Sequence, residues 1–246
     1  MSTEHLAEYG DPDGTPVIYL HGGGDSRLTV HPDEEIARRL GVRVLALERS
    51  GKAARRRTLR AWADETVAAI PVERFGVVGW SAGGPHALAL AAVAPERVTR
   101  VALVGSMPPP DLVHLLAADV QKAVRVSGIA PRLAVRGLEQ WGRLPTPPTG
   151  SPETDAAYAR GRVEGFRAGG LWLARELAYL GKPWGFELAD VKQPVTLWWG
   201  TQDETCLPAI ADTYLERLPN AELRLVEGTH QVLFPYWGEI LASAAA

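Results

Sequence analysis

The amino-acid sequence predicts an α/β protein with a doubly wound, mainly parallel sheet of about seven strands and a late helical insertion. Three observations predict it. Short apolar runs of β type alternate with segments of helical spacing, the pattern of parallel strands joined by crossover helices. The alternation stops after Val104 and resumes at Val195, and the residues between hold proline punctuation and helical stretches but no convincing strand. One apolar run meets an Ala-rich helical segment at Gly79-Trp80-Ser81-Ala82-Gly83, a serine on a turn with glycine two residues to each side.

Taken in order, His5–Tyr9 and Val17–Leu20 read as the first two strands, and Asp33–Leu40 has helical spacing. Val42–Leu47 is the third strand and Thr58–Ala69 the next helix. Phe75–Val78 is a short, wholly apolar run of the kind buried on both faces, and Pro85–Ala94 follows it as a helix. Val101–Val104 is the fifth strand. From Met107 to about Pro183 the helical candidates are Asp111–Val126, Arg132–Trp141, Glu153–Arg167 and Leu171–Leu180. This insertion, residues 107–183, is expected to lie over Ser81 as a helical cap, because it leaves the sheet just after the strand that follows the Ser81 helix. Val195–Trp199, the helix Ala209–Leu218 and Leu223–Val226 complete the alternation. Ala242–Ala246 reads as a low-complexity Ala-rich tail.

A chain of 246 residues, 46% hydrophobic and 22% charged, has the make-up of one soluble globular domain, residues 1–246. A formal charge of −3 gives no electrostatic case for nucleic acid or an anionic membrane. Cys206 is the only cysteine, which excludes an internal disulfide and fits a reducing, cytoplasmic setting. The start Met1-Ser2-Thr3-Glu4-His5 has no secretion-signal pattern, and no apolar stretch is long enough for a membrane helix.

In parallel sheets, chemistry gathers beyond the carboxyl ends of the strands. Ser81 stands there, on a turn tight enough to exclude side chains at its flanks and to aim the Ala82 amide at the same spot. A serine hydroxyl needs a base, and the base needs an acid to orient it. Of six histidines, His230 in Gly228-Thr229-His230 follows the last strand and is the expected base. His86 falls inside the Ser81 helix, turned away, and His21 reads as a structural residue of its loop. Asp203 follows the preceding strand and is the expected acid, with Glu204 as its neighbouring competitor. His21-Gly22-Gly23-Gly24 is a Gly-rich loop whose Gly23 amide can join that of Ala82 in holding an oxyanion. With neither Gly-Lys-Ser/Thr nor a Gly-x-Gly-x-x-Gly continuation, it does not read as a nucleotide loop. No metal and no cofactor are expected.

These motifs, in this order, resemble the α/β-hydrolase superfamily, in its branch of small capped esterase-like and proline-iminopeptidase-like enzymes. Glu8-Tyr9-Gly10-Asp11-Pro12 is similar to the strand and turn before the family's His-Gly motif. Trp80-Ser81-Ala82-Gly83-Gly84-Pro85 resembles its nucleophile elbow, and the loops at Asp203 and His230 resemble its last two catalytic loops in the family's Ser, Asp, His order. Leu47-Glu48-Arg49-Ser50-Gly51 matches its Asp-Arg-Pro-Gly loop with two changes, and the basic run Lys52–Arg57 replaces the usual continuation. The family's first edge strand is absent, hence seven strands rather than eight.

The resemblance implies a serine hydrolase with a Ser81, Asp203, His230 triad and an oxyanion hole at Gly23 and Ala82. Its substrate would be a small to medium apolar ester or lactone, cleaved through an acyl-enzyme. The same fold also serves thioesterases, cyclases and non-catalytic ligand-binding proteins. The expected pocket residues are Gly22, Trp80, Trp141, Trp172 and Phe234, because aromatic residues gather in the insertion and beside the Ser81 and His230 loops.

Overall fold

The computed structural model describes residues 6–49 and 58–245. The basic run Arg55–Arg57 and the predicted strand start at His5 lie outside the described residues. Among the described residues, seven strands form one sheet: β1 (Leu6–Gly10), β2 (Thr15–Leu20), β3 (Val42–Leu47), β4 (Phe75–Trp80), β5 (Val98–Val104), β6 (Val195–Gly200) and β7 (Ala221–Val226). Their order is β1-β3-β2-β4-β5-β6-β7. β1 runs antiparallel to β3, with Leu6 opposite Leu47, and every other pairing is parallel. The reversal of strand order at β2 and β4 puts the ends of these two strands at a topological switch point, where ligands bind in open α/β sheets.

Helices cover both faces. α1 (Glu35–Arg39) and α9 (Trp237–Ala245) pack on one side with Val17, Tyr19, Val44 and Val78. α2 (Leu59–Ala69), α3 (Gly83–Val93) and α8 (Ala209–Arg217) pack on the other with Ile18, Leu20, Val77 and Leu103. Alternate residues of β2 and β4 thus serve opposite layers, which is why these runs are apolar throughout rather than alternating. Burying each large aliphatic side chain here stabilises the fold by roughly 1.5–3 kcal/mol.

α9 was not expected: its last turns are the segment that reads as an Ala-rich tail. Small side chains let it lie directly on β4. Ala244 is fully buried, and a Cβ at Gly76 would run into the Ala244 carbonyl oxygen.

Between β5 and β6 stand α4 (Ala118–Ile129), α5 (Pro131–Gly142), α6 (Pro152–Gly165) and α7 (Leu171–Leu180). The helix expected over Asp111–Val126 is broken. A 3-10 turn covers Pro110–Leu115, Leu116 and Ala117 are extended, and α4 begins only at Ala118. The break has a tertiary cause. Leu116 forms an isolated antiparallel bridge with Cys206, and the Ala117 amide donates to Thr205 O at 2.9 Å. Pairing with the loop after β6 wins over local helix propensity.

Candidate active site

Ser81 is the one non-glycine among the described residues with positive φ, at 53°. Such a conformation costs on the order of 1–3 kcal/mol and persists only where surroundings enforce it. Here the Ser81 amide donates to Val104 O at 2.9 Å. Its carbonyl accepts from the amides of Gly84 and Met107, each at 3.0 Å. β5 and the first turn of α3 therefore hold the turn from both sides. The side chain is left half-buried on the wall of a cavity of about 650 Å³.

Asp203 lies three residues past β6 and is buried. Its Oδ1 accepts the amides of Thr205 at 2.9 Å and Cys206 at 2.8 Å, and its Oδ2 lies 2.8 Å from His230 Nδ1. An ionised carboxylate only accepts, so Nδ1 carries the proton of this bond and neutral His230 keeps Nε2 as its lone-pair nitrogen. His230 follows β7, lines the same cavity as Ser81, and its carbonyl accepts from Trp80 Nε1 at 3.1 Å. Glu204 is exposed. The structure thus brings Asp203, and not its neighbour, to His230.

Sequence reasoning missed Gly105. Its φ is 48°, and a Cβ there would lie 3.0 Å from both Asp203 Oδ2 and His230 Nδ1. The Asp203–His230 pair rests on bare backbone at the end of β5. A glycine directly after a strand was the available signal.

The Gly-rich loop approaches Ser81 from the end of β2. Gly23 and Ala82 both line the cavity, and a Cβ on Gly23 would stand 3.4 Å from the Ala82 Cβ. His21 is buried, its Nδ1 2.8 Å from Gly22 O and its Nε2 3.3 Å from the Arg49 amide. Arg49 fixes the loop from beneath. Its guanidinium donates to His21 O (2.5 Å) and Gly22 O (3.4 Å), and its Nε to Glu176 Oε1 on α7 (3.0 Å).

The rest of the cavity comes from α4–α7 and is largely apolar, with Val120, Val126, Leu138, Leu173 and Leu177 on its walls. Of the five expected pocket residues, Trp80 and Trp141 line it, whereas Gly22, Trp172 and Phe234 do not. Trp172 is buried with its indole N–H on Gly165 O at 2.7 Å and its ring edge toward His21. Phe234 is buried and packs edge-on against Trp80. Gly22 is folded against Asp25 and the Trp80 ring.

Cys206 also lines the cavity; burial, with the Asp203 charge second, pushes its thiol well above the usual range. That leaves it protonated and unreactive. Asp25, Tyr158 and Arg162, which no motif marked, complete the wall. Among the described residues, no cluster of three or more His, Cys, Asp or Glu could hold a metal ion.

A family model described as the alpha/beta hydrolase fold matches residues 15–235. A pimeloyl-[acyl-carrier protein] methyl ester esterase from Aromatoleum aromaticum is 31% identical over 223 residues, which cover 84% of this chain and 87% of that protein. The enol-lactonase structure from Burkholderia xenovorans LB400 superposes with a TM-score of 0.73 at 16% identity, covering 96% of this chain and 93% of the other. An esterase from Exiguobacterium antarcticum gives 0.69 at 16% identity, with 96% and 91% covered. At these identities the two structures speak for the fold alone.

Proposed function

The chain belongs to the α/β-hydrolase family, and from that premise we propose that it is a serine esterase cleaving an apolar, small to medium ester or lactone. The observation that carries this reading is the buried Asp203–His230 hydrogen bond, with His230 and the strained Ser81 lining one apolar cavity. In this reading His230 Nε2 takes the Ser81 proton as Oγ attacks the carbonyl, and Asp203 holds the ring and stabilises the imidazolium that forms. The Gly23 and Ala82 amides hold the oxyanion, in place before charge develops. His230 then returns the proton to the departing alcohol. Water, deprotonated by His230, releases the acid from Ser81. Helices α4–α7 act as the cap that excludes bulk water, and the cavity volume suits a ligand of small-molecule size.

A fluorophosphonate probe and a p-nitrophenyl acyl ester provide the test. Wild type is expected to be labelled at Ser81 and to hydrolyse the ester. Ser81→Ala is expected to keep its unfolding midpoint while losing labelling and several orders of magnitude in kcat. Ester turnover surviving in that variant would reject the reading. Absent labelling together with tight small-molecule binding would favour a ligand-binding protein instead.

A second reading is a specialised acyl-group enzyme, a thioesterase or cyclase of biosynthesis. It draws on the relative from Aromatoleum aromaticum, whose name describes an ester on a carrier-bound acyl chain. It predicts ready probe labelling with poor turnover of generic esters and efficient turnover of acyl thioesters. A panel of both substrate types separates the two.

A further inference from the structure

Within a cavity of mostly apolar wall, one strip is polar. Arg162 of α6 is only 4% exposed, yet its side chain lines the cavity. Its Nε donates to Asp25 Oδ1 at 2.9 Å and its Nη2 to the Tyr158 hydroxyl at 2.8 Å. The face of the guanidinium lies 3.9 Å from the centroid of the Trp141 ring. Gln231, the neighbour of His230, lines the same wall. Asp25, Trp141, Tyr158, Arg162 and Gln231 all face the cavity, and Asp25 follows Gly23 by two residues.

Nη1 of Arg162 has no protein partner among the described residues. An arginine buried to this extent is held in one geometry by a carboxylate, a hydroxyl and an aromatic face, with donors left over. A clasp between α6 and the Gly-rich loop would need only the bond to Asp25, and apolar packing often serves such a join as well as a buried ion pair does. Because Arg162 lines the cavity, its unpartnered Nη1 is available to a ligand there.

The sign of the charge narrows the ligand. Asp25 already supplies the counter-charge of Arg162. Of the other lining residues, Asp119 and Lys122 are exposed on α4 and offset each other. A second carboxylate at Arg162 would sit beside Asp25 in a poorly solvated site, which like-charge repulsion opposes. A neutral oxygen accepts from Nη1 without adding charge.

We propose that Arg162 is a specificity-determining residue, anchoring a neutral carbonyl oxygen (ketone, ester or amide) elsewhere on the substrate than at the scissile bond. The substrate class is then an ester whose otherwise apolar acyl chain carries a second, uncharged carbonyl. This assignment rests on the esterase reading and deepens it.

The test uses straight-chain methyl esters of graded length that end in a methyl group, a methyl ketone or a carboxylate. At the matching length, kcat/KM for the ketone is expected to exceed that for the plain alkyl ester by about tenfold, the scale of one hydrogen bond to a charged donor. The gain should appear mainly in KM, and the carboxylate-ended ester should be the poorest of the three. In Arg162→Met the ketone-to-alkyl ratio should fall to about one. Arg162→Lys, which keeps the charge beside Asp25 but loses the planar fork, gives the same comparison if the methionine variant does not fold.

No ketone preference in wild type at any length overturns the proposal. So does an equal loss for both esters in the Arg162 variants, which marks the residue as a clasp. Preference for the carboxylate overturns the assignment to a neutral group. The same three ligands titrated calorimetrically into Ser81→Ala separate the two levels of inference. Ketone-selective binding without any wild-type turnover retires the esterase reading and leaves the anchor standing, whereas turnover and binding without selectivity retire the anchor alone.

Discussion

Gly105 shows how a single residue type can govern the geometry of the Asp203–His230 pair. A side chain there would need a left-handed backbone and would press on two atoms already joined at 2.8 Å. Gly105→Ala is expected to push that pair aside and lower kcat by about tenfold to a hundredfold, since misplacement of catalytic groups by about 1 Å has effects of that order. Its unfolding free energy should fall by only about 1–2 kcal/mol. Steady-state kinetics together with urea unfolding would check both numbers. A variant as active as wild type would show that the pair has room to adjust. Ser81, Asp203 and His230 were legible in the sequence because each follows a recognisable strand at its carboxyl end. Gly105 follows one too, but a residue whose contribution is the absence of a side chain leaves no chemical signature. Trp172 and Phe234 were misplaced for a related reason: composition gives an aromatic residue's presence but not the partner that claims it, here Gly165 O and the Trp80 ring.

At the scale of elements, the five inner strands were readable from their apolar runs, because parallel strands buried on both faces need such runs, whereas the edge strands β1 and β7 carry exposed charged residues among their apolar ones. Element ends were less readable, and two misreadings have different causes. The extended Leu116–Ala117 is decided by a distant partner, the Cys206 loop, of which local spacing carries no record. In α9 the spacing was present: Trp237, Ile240, Leu241 and Ala244, all buried, recur at the i, i+3, i+4, i+7 period of a helix face, behind the Ala-rich composition of its end. The α9 contact leads to a measurable consequence. A Cβ at Gly76 in β4 would run into the Ala244 carbonyl of α9, so Gly76→Ala must move either Ala244 or the strand. Overpacking of this kind typically destabilises by about 1–3 kcal/mol. Because Gly76 faces away from the cavity, kcat under stabilising conditions should change far less than the urea midpoint. An unchanged midpoint would mean that α9 slides freely on the sheet.

Across the whole molecule, the helical insertion and the sheet are joined through a buried polar junction centred on His86 of α3. Its Nδ1 donates to Ala82 O at 2.7 Å, and its Nε2 accepts from the Tyr179 hydroxyl of α7 at 2.8 Å. Glu176 Oε1 is 3.6 Å from Nε2 but already serves Arg49, and Trp62 packs edge-on at 4.5 Å between centroids. Burial first, and the Arg49 charge second, hold His86 well below the ordinary histidine range, so it is neutral in the folded protein. The sign of the pH effect follows from proton counting. Below about 6.5 the unfolded chain binds a proton at this position that the folded chain refuses, so unfolding takes up a proton and stability falls as the pH falls. Above that value neither state is charged, and the contribution is fully present. Wild type should therefore lose stability from pH 6.5 toward pH 5, with His86 responsible for at most about 1.4 kcal/mol per pH unit. His31, lowered chiefly by its partial burial, adds a weaker slope of the same sign. His86→Gln can keep a donor toward Ala82 O and an acceptor toward Tyr179 but cannot titrate. It should be less stable than wild type at pH 8, and the gap should narrow as the pH falls. Urea unfolding of wild type, His86→Gln and His31→Gln at half-unit steps would resolve the two contributions. A gap between wild type and His86→Gln that stays constant from pH 8 to pH 5 would mean that His86 does not couple folding to protonation, and that the junction between α3 and α7 acts through its hydrogen bonds alone.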